Sequence, residues 1–274
     1  MATTQSDKAT TFRALHQGPG AFLIANAWDA GSARILAGLG FPALATSSGA
    51  KAGVLGKRDG KVTREEALAN ARAIVDATDL PVSADLEKGF GDAPSAAAET
   101  IRLAAGVGLV GGSIEDATGD ASKPIYDFAL AVERVQAAVE VARSLPFRFA
   151  LTARAENLLH GRLDLDDTIK RLQAFEKAGA DVLYAPGVRD LAAIRAVTSA
   201  VSRPVNVVMS AADPSLTLAQ LAQAGVKRVS VGGALSRLAL AAFLHGAREM
   251  RDKGGFTWVR DTVPSQDLKP VFRR

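Results

Sequence analysis

Short apolar runs of β type alternate with longer amphipathic segments along the whole chain, and this alternation restricts the possible folds more than any other feature. Four predicted helix-to-strand connections have similar sequences, in which glycine ends a helix before an apolar strand: AGLGFPAL, AAGVGLVG, KAGADVLY and QAGVKRVS. The predicted strands cover residues 22–28, 41–47, 81–86, 109–114, 147–153, 181–185, 204–209 and 228–231. The predicted helices include residues 64–77, 95–105, 128–144, 165–178, 191–200 and 216–223. Eight such units predict an α/β fold, a closed parallel (β/α)8 barrel of the TIM type, rather than an open doubly wound sheet.

Length and composition fit one large domain. The 274 residues are 48% hydrophobic and 5% aromatic, which is typical of Ala, Val and Leu packing in an α/β protein. No linker-like segment interrupts the chain. We therefore expect residues 1–255 to form the barrel and residues 256–274 to form a C-terminal arm or helical extension.

Charge, cysteine content and hydropathy exclude several classes of function. The formal net charge of +4 is small and the basic residues are spread along the chain, so we expect no nucleic-acid partner. The absence of cysteine excludes disulfides, thiolate metal ligands and a cysteine nucleophile. The amino-terminal residues lack a signal-peptide pattern, and no apolar run reaches the roughly 18 residues of a membrane span. These features predict a soluble, cytoplasmic protein without a membrane partner.

Acidic residues follow several of the predicted strands. Asp85 and Glu87 end the third strand, Glu115 and Asp116 end the fourth, and Asp59 lies in the loop after the second. The carboxyl ends of all strands meet at one mouth of a parallel barrel, where the active site lies. Carboxylates gathered there, with glycines that let the backbone come close, suit a hard divalent cation. The pattern predicts a metal-assisted enzyme, with Asp116 turned toward a structural partner instead.

Arg154 ends the predicted fifth strand in the sequence LTARAE. Its planar guanidinium can hold a substrate carboxylate or phosphate through two parallel hydrogen bonds. The alternative is a structural ion pair with Glu115 or Glu156, and the two roles are compatible. Trp28, at the end of the first strand, and Asn206, within the seventh strand, are both candidates for lining the pocket and binding the substrate.

Five motifs follow one another in a specific order: NAWDAGSARILAGLG, TSSG, DLEKGFGD, SIEDATGD and LTARAE. Together they resemble the isocitrate lyase and phosphoenolpyruvate mutase superfamily over about residues 20–235. The resemblance implies a (β/α)8 barrel, a Mg²⁺ or Mn²⁺ ion, and a 2-oxo acid or its enolate held on that ion. It also implies cleavage or formation of a C–C or C–P bond beside the carbonyl.

The resemblance assigns metal-binding roles to single positions. Asp85 resembles the direct metal ligand and also faces the substrate, while Asp59, Glu87 and Glu115 resemble the residues that hold the ion through water. Glu87 departs from the more usual aspartate, which lengthens the side chain and keeps the charge.

Further positions match the substrate-binding and catalytic residues of that superfamily. Ser48, Gly49 and Ala50 resemble a backbone cradle for the carboxylate and carbonyl of the substrate. Arg154 resembles the carboxylate-binding arginine, and we expect it to act in catalysis together with Glu115.

The segment after the SIED motif distinguishes the possible reactions. In the isocitrate and methylisocitrate lyases it carries a cysteine that transfers a proton, and its absence here disfavours both activities. The mutase and phosphonopyruvate hydrolase branches place a lysine and an asparagine on this gating loop. Lys123 matches the lysine and is a third catalytic candidate, with Ser122 or Asp120 in place of the asparagine. A histidine that those branches carry after the sixth strand is also missing.

Cleavage of a C–C bond requires the fewest of the missing groups. We therefore expect a Mg²⁺-dependent lyase that acts on a small 2-oxo or 2-hydroxy dicarboxylate through a metal-stabilised enolate, with oxaloacetate decarboxylation first. The alternatives are phosphonopyruvate hydrolysis or phosphoenolpyruvate mutation, and a non-catalytic barrel that binds a 2-oxo acid. The resemblance also implies a homotetramer built from dimers that exchange a C-terminal helix. The apolar sequence LSRLALAAFLHGA is the candidate for contact with a neighbouring subunit. The alternative is that the same segment closes its own barrel as the eighth helix.

Overall fold

The computed structural model, which describes residues 3–272, contains a closed barrel of eight parallel strands. Each strand pairs with the next one along the chain, and β1 pairs with β8. The order confirms the predicted (β/α)8 fold. The strands are β1 Phe22–Asn26, β2 Leu44–Ala45, β3 Val82–Asp85, β4 Gly111–Glu115, β5 Ala150–Arg154, β6 Val182–Tyr184, β7 Val205–Val208 and β8 Arg228–Ser230.

The helices begin and end where the sequence supplies caps. Four of them start with a reciprocal capping box, in which a side-chain oxygen accepts the N–H three residues later, after Thr4, Asp29, Thr63 and Thr217. Gly179 and Gly225 follow helix ends with φ of 102° and 85°, a region that favours glycine. The helices are α1 Gln5–Gln17, α2 Ala30–Gly38, α3 Ser48–Val54, α4 Arg64–Asp76, α5 Pro94–Gly106, α6 Phe128–Ser144, α7 Leu165–Lys177, α8 Leu191–Ala200, α9 Leu218–Gln223, α10 Ala234–Lys253 and α11 Ser265–Leu268, with a 3₁₀ turn at Thr257–Asp261.

Small apolar side chains pack the helices against the outside of the barrel. In α6, Ala131, Val135, Ala138 and Ala142 recur every three or four residues and are at most 3% exposed. Alanine at three of these positions lets the helix lie close to the sheet. Burial of a valine-sized side chain contributes about 1.5–3 kcal/mol, so a charged residue at Val135 would disrupt this contact.

Two glycines of β4 serve packing. A Cβ on Gly111 would lie 2.9 Å from the ring of Phe12, which α1 places against the barrel. A Cβ on Gly112 would lie 2.7 Å from Leu86 Cδ1. The sequence pattern suggests that glycines bring the backbone close to an ion. The contacts show instead that Gly111 and Gly112 make room for apolar side chains.

The C-terminal helices follow the last strand. α10 exposes apolar side chains, among them Leu238 and Phe243, which are 67% and 68% exposed. The 3₁₀ turn then folds back, and a Cβ on Gly246 would lie 3.1 Å from the indole of Trp258. Within residues 3–272, no helix combines the length and apolar character needed to cross a membrane. A domain boundary at residue 255 remains a prediction.

Candidate active site

A cavity of about 390 Å³ opens at the carboxyl ends of the strands, the mouth where a parallel barrel places its active site. Its walls carry hydroxyl, amide, carboxylate and guanidinium groups. The polar lining residues are Asn26, Thr46, Ser47, Ser48, Asp59, Ser83, Asp85, Ser113, Arg154, Tyr184, Asn206, Ser210, Arg228, Ser230 and Arg237. A cavity with this lining suits a small charged molecule.

Arg154 is the centre of the charge network at this mouth. Its Nη1 lies 3.1 Å from Asp85, its Nη2 3.3 Å from Glu115 and its Nε 2.7 Å from Glu156. Strand pairing explains part of this arrangement, since Glu115 and Arg154 are register partners in β4 and β5. The guanidinium also lies 5.0 Å from the ring centroid of Tyr184. Each nitrogen of the arginine therefore has its own carboxylate.

Burial and neighbouring charges shift the carboxyl pKa values in opposite directions. Burial raises the pKa of Asp85, but the positive charges of Arg154 and Lys51 outweigh it and hold the pKa below its ordinary value. Burial raises the pKa of Glu115 well above its ordinary value, and Arg154 only partly opposes this shift. Asp85 is thus a fixed anion, whereas Glu115 is suited to carry a proton.

Glu87 is held by a buried lysine. Lys51 on α3 is 1% exposed, and its Nζ lies 3.0 Å from Glu87 Oε1 and 5.5 Å from the ring centroid of Phe90. Alternation along a strand would place Glu87 on the same side as Asp85, but β3 ends at Asp85 and Glu87 follows with φ of 52°. Strand alternation therefore does not apply to Glu87, which lines a neighbouring cavity of about 440 Å³.

The first turn of α3 lies beside these carboxylates. The Ser48 N–H donates to Asp85 Oδ2 at 3.2 Å. A Cβ on Gly49 would lie 3.1 Å from Asp59 Oδ2, so a side chain there would displace that carboxylate. Ser48, Gly49 and Asp59 line the cavity, and Ala50 is buried in the same turn. The structure thus brings the expected cradle next to the expected metal ligands.

The wall across the barrel is built around Arg228, which has no carboxylate partner among the described residues. Its Nε donates to Asn206 Oδ1 at 2.8 Å and its Nη2 to Thr152 Oγ1 at 3.0 Å. Asn206 Nδ2 donates in turn to Ser230 Oγ at 3.1 Å. Burial lowers the pKa of Arg228 to about 10, which leaves the side chain charged at neutral pH. Asn206, a substrate-binding candidate, is therefore fixed in the cavity wall.

Trp28 and Lys123 lie outside this cavity, and Ala50, Glu87 and Glu115 are also absent from its lining. Trp28 is half-buried after β1, where its backbone N–H donates to Ser32 Oγ and its backbone carbonyl accepts from Asn70 Nδ2. Lys123 lies in the exposed segment after β4, and its Nζ is 2.7 Å from Asp127 Oδ2. The structure does not bring either side chain to the cavity wall.

Three cations near the site were not among our sequence candidates: Lys51, Arg228 and Arg237. Arg228 could have been found, because it is the register partner of Asn206 across β7 and β8. Lys51 interrupts a run of small residues directly after the predicted cradle, which is a weaker indication. Arg237 reaches the rim from α10, where a Cβ on Gly233 would lie 3.2 Å from its Nη1, and no local pattern predicts that.

The carboxylates at this mouth have the donor chemistry of a hard divalent cation site. Asp59, Asp85, Glu87 and Glu115 offer only oxygen ligands, and burial is the main cause that raises the pKa of both glutamates, with nearby carboxylates adding to the shift. Among residues 3–272, no three acidic or histidine side chains converge in a metal-binding cluster. Arg154 bridges Asp85 and Glu115 instead. Oxygen donors are the ligand type that Mg²⁺ and Mn²⁺ prefer, but here a guanidinium lies between two of the carboxylates.

The chain is similar to known enzymes over most of its length. A family model described as phosphoenolpyruvate phosphomutase matches residues 12–251. A 2-methylisocitrate lyase of Escherichia coli (strain K12) is 31% identical over 232 residues, 81% of this chain and 77% of that protein. An oxaloacetate decarboxylase of Chromohalobacter salexigens is 32% identical over 260 residues, 92% of this chain and 88% of that protein. A crystal structure from Burkholderia cenocepacia J2315, provisionally assigned as a lyase/mutase, is 58% identical, covers 98% of this chain and 97% of its own, and has a TM-score of 0.96.

Proposed function

Because the chain belongs to the phosphoenolpyruvate phosphomutase family, within the isocitrate lyase and phosphoenolpyruvate mutase superfamily, we propose that it is a metal-dependent carbon–carbon lyase. The resemblance inferred from the five motifs is thereby confirmed. Its relatives include a 2-methylisocitrate lyase and an oxaloacetate decarboxylase. The proposed substrate is a small 2-oxo or 2-hydroxy dicarboxylate, and the first choice of reaction is decarboxylation of oxaloacetate.

The distribution of charge around the cavity is the observation that carries this proposal. One side gathers the carboxylates around Asp85, where a divalent cation and a 2-oxo group would meet. The other side presents Arg228 and Arg237, which have no carboxylate partners within residues 3–272. Such a cavity attracts a small molecule that carries two negative charges and one metal-binding carbonyl.

The proposed metal site uses four side chains. Asp85 would bind the ion directly, and Asp59, Glu87 and Glu115 would hold it through water. When bound, Mg²⁺ supplies polarisation of the 2-oxo group as a Lewis acid. The N–H groups of Gly49 and Ala50 are free to orient the substrate carboxylate, since they lie in the first turn of α3 and have no intrahelical acceptor.

Decarboxylation also needs a proton. The C3–C4 bond of oxaloacetate breaks, carbon dioxide leaves, the electron pair moves toward the 2-oxo oxygen, and C3 then takes up one proton to give pyruvate. Tyr184 lines the cavity and burial raises the pKa of its phenol, so the Oη carries a proton that it can donate. Arg154 holds Asp85 in place and offers positive charge to the substrate carboxylate.

C–P bond chemistry is the second candidate, and the description of the matching family model favours it. The lysine expected on the gating loop would be Lys123, whose Nζ pairs with Asp127 outside the cavity. This position gives weaker support to C–P chemistry than the cavity gives to C–C cleavage.

The test is to incubate the purified protein and Mg²⁺ with a panel of 2-oxo acids, substituted malates and phosphonates, followed by proton and phosphorus NMR. Pyruvate from oxaloacetate, faster than in the matched Asp85→Ala sample, supports the proposal. New phosphorus signals from phosphonopyruvate would transfer it to C–P chemistry. Binding of a 2-oxo acid without any turnover would indicate the non-catalytic barrel.

The C-terminal helix α10 is the feature of the chain that bears on self-association. The exposed apolar face of α10 suits contact with a second copy of the chain, so we propose a dimer or tetramer in the cytoplasm. Light scattering at micromolar concentration checks the assembly, and a mass near 28.5 kDa would contradict it.

A further inference from the structure

A second polar cavity, of about 140 Å³, lies at the amino-terminal mouth of the barrel, opposite the proposed active site. Three arginines from separate parts of the chain line it: Arg13 on α1, Arg148 before β5 and Arg203 before β7. Within residues 3–272, none of the three makes an ion pair or a side-chain hydrogen bond. The fold thus gathers three arginines around one small space without pairing any of them with a carboxylate of the described residues.

Asp181 is the single carboxylate among the described residues that line this cavity, and it is already bound. Arg143 Nη2 donates to its Oδ1 at 2.8 Å, and the Leu151 N–H donates to its Oδ2 at 2.9 Å. The charge of Asp181 is therefore matched by Arg143, and the three lining arginines stay uncompensated. Like charges around one space repel each other, and an anion placed between them would reverse that effect.

A fourth positive charge, that of Arg228, lies next to the imidazole of His16, which lines this cavity. His16 Nδ1 donates to the Phe12 carbonyl at 2.8 Å, which leaves Nε2 as an acceptor 3.5 Å from Arg228 Nη1. Burial, followed by the charge of Arg228, lowers the pKa of His16 to about 3, so the imidazole is uncharged at physiological pH. Arg228 itself spans the barrel interior from His16 to Asn206.

We propose that the amino-terminal mouth binds a compact oxyanion that carries two or more negative charges, either a small phosphate compound or a tricarboxylate. Arg13, Arg148 and Arg203 would hold it, because a guanidinium matches both phosphate and carboxylate geometry. The cavity lies well below the roughly 300–1,000 Å³ of sites for drug-sized ligands, which restricts the occupant to a small anion.

Isothermal titration calorimetry on the full-length, magnesium-free protein tests this site with inorganic pyrophosphate, inorganic phosphate and citrate as separate ligands. We expect one anion to bind per chain, and the affinity to fall as salt is added. Comparison of pyrophosphate with citrate distinguishes a phosphate ligand from a carboxylate ligand. Failure of all three to bind below about 1 mM would overturn the proposal.

Variants locate the binding. The double variant Arg148→Ala/Arg203→Ala removes two exposed side chains, and we expect it to bind the anion at least tenfold more weakly. Arg195→Ala is the matched control, because Arg195 is an exposed arginine on α8 that does not line the cavity. Unchanged affinity in the double variant would place the anion elsewhere, including the catalytic cavity, and would refute the site. Melting temperatures without anion check that each variant is folded.

Discussion

The two mouths of the barrel both gather positive side chains, but they balance them differently. At the carboxyl mouth, Arg154 and Lys51 are buried and lie 2.7–3.3 Å from carboxylates. At the amino mouth, Arg13, Arg148 and Arg203 are exposed and have no carboxylate within 4.0 Å among residues 3–272. Burial makes an unmatched charge costly, so the fold pairs Arg154 and Lys51 with carboxylates, whereas an exposed charge can be matched by a ligand from solution. The contrast separates built-in charge pairs from a surface open to anions.

Removal of divalent metal should abolish turnover, since the carboxylates around Asp85 are proposed to act on the substrate through the ion. Excess chelator should eliminate activity, and Mg²⁺ or Mn²⁺ should restore it, in a continuous assay of oxaloacetate consumption corrected for the spontaneous reaction. Full turnover in excess chelator would contradict the proposed role of the carboxyl mouth.

Asp85→Ala should reduce kcat/KM by on the order of 10³-fold or more, because it removes the proposed direct ligand and one partner of Arg154. The variant should stay folded, which circular dichroism can check. Asp213→Ala is the matched control, since Asp213 is an exposed carboxylate whose side chain accepts from the N–H of Ser215. Equal activity in the two variants would disprove the role of Asp85.

Arg154→Lys should reduce kcat/KM roughly 30-fold to 1000-fold, about 2–4 kcal/mol of transition-state stabilisation. A single ammonium cannot reproduce three nitrogens directed at Asp85, Glu115 and Glu156. Steady-state kinetics and thermal melts are measured together. Near wild-type kcat/KM with a lowered Tm would assign the arginine a structural role only.

Lys51→Met should destabilise the protein by about 3 kcal/mol, because it leaves the Glu87 carboxyl buried without its cation. The double variant Lys51→Met/Glu87→Gln should regain most of that loss. The control is Arg72→Ala, which breaks the exposed Arg72–Asp76 pair and should cost no more than about 0.5 kcal/mol. Urea unfolding measures all three, and equal losses in Lys51→Met and Arg72→Ala would show that burial is unimportant here.

The segment 118–124 after β4 should be the mobile part of the carboxyl mouth. Its internal bonds are local, such as Thr118 Oγ1 to the Lys123 carbonyl, whereas the flanking Ala117 and Ile125 are buried. Hydrogen exchange of this segment should slow severalfold when Mg²⁺ and a 2-oxo acid are added, because a closing loop loses contact with water. Identical exchange with and without ligand would identify a fixed loop.

The strand ends could be predicted from the sequence because the rule that places them is local. Apolar runs give the strands, and parallel closure then brings Asp85, Glu115 and Arg154 to one mouth. The rule fails two residues beyond a strand, as at Glu87, where the backbone turns left-handed and strand alternation no longer applies. Side chains that reach the site from helices, such as Lys51, follow no period in the sequence.

The amino mouth could not be predicted, because its arginines come from three distant segments. Arg13 belongs to a helix, and Arg148 and Arg203 precede different strands, so only the closed barrel brings them together. The sequence indicates no common site for them, because scattered basic residues are typical of a solvated surface. Their common cavity depends on how α1 packs across the barrel, and no single segment encodes that packing.

Arg228 also shapes how this protein could change under selection. A guanidinium in the barrel interior with only neutral partners, Asn206, Thr152 and His16, lowers the free energy of unfolding relative to an apolar side chain of similar volume. A search for heat-resistant variants would therefore favour its replacement, although its charge lines the proposed active-site cavity and lies next to His16 at the amino mouth. Survival of this arginine through such a search would measure how strongly function, rather than stability, constrains the barrel.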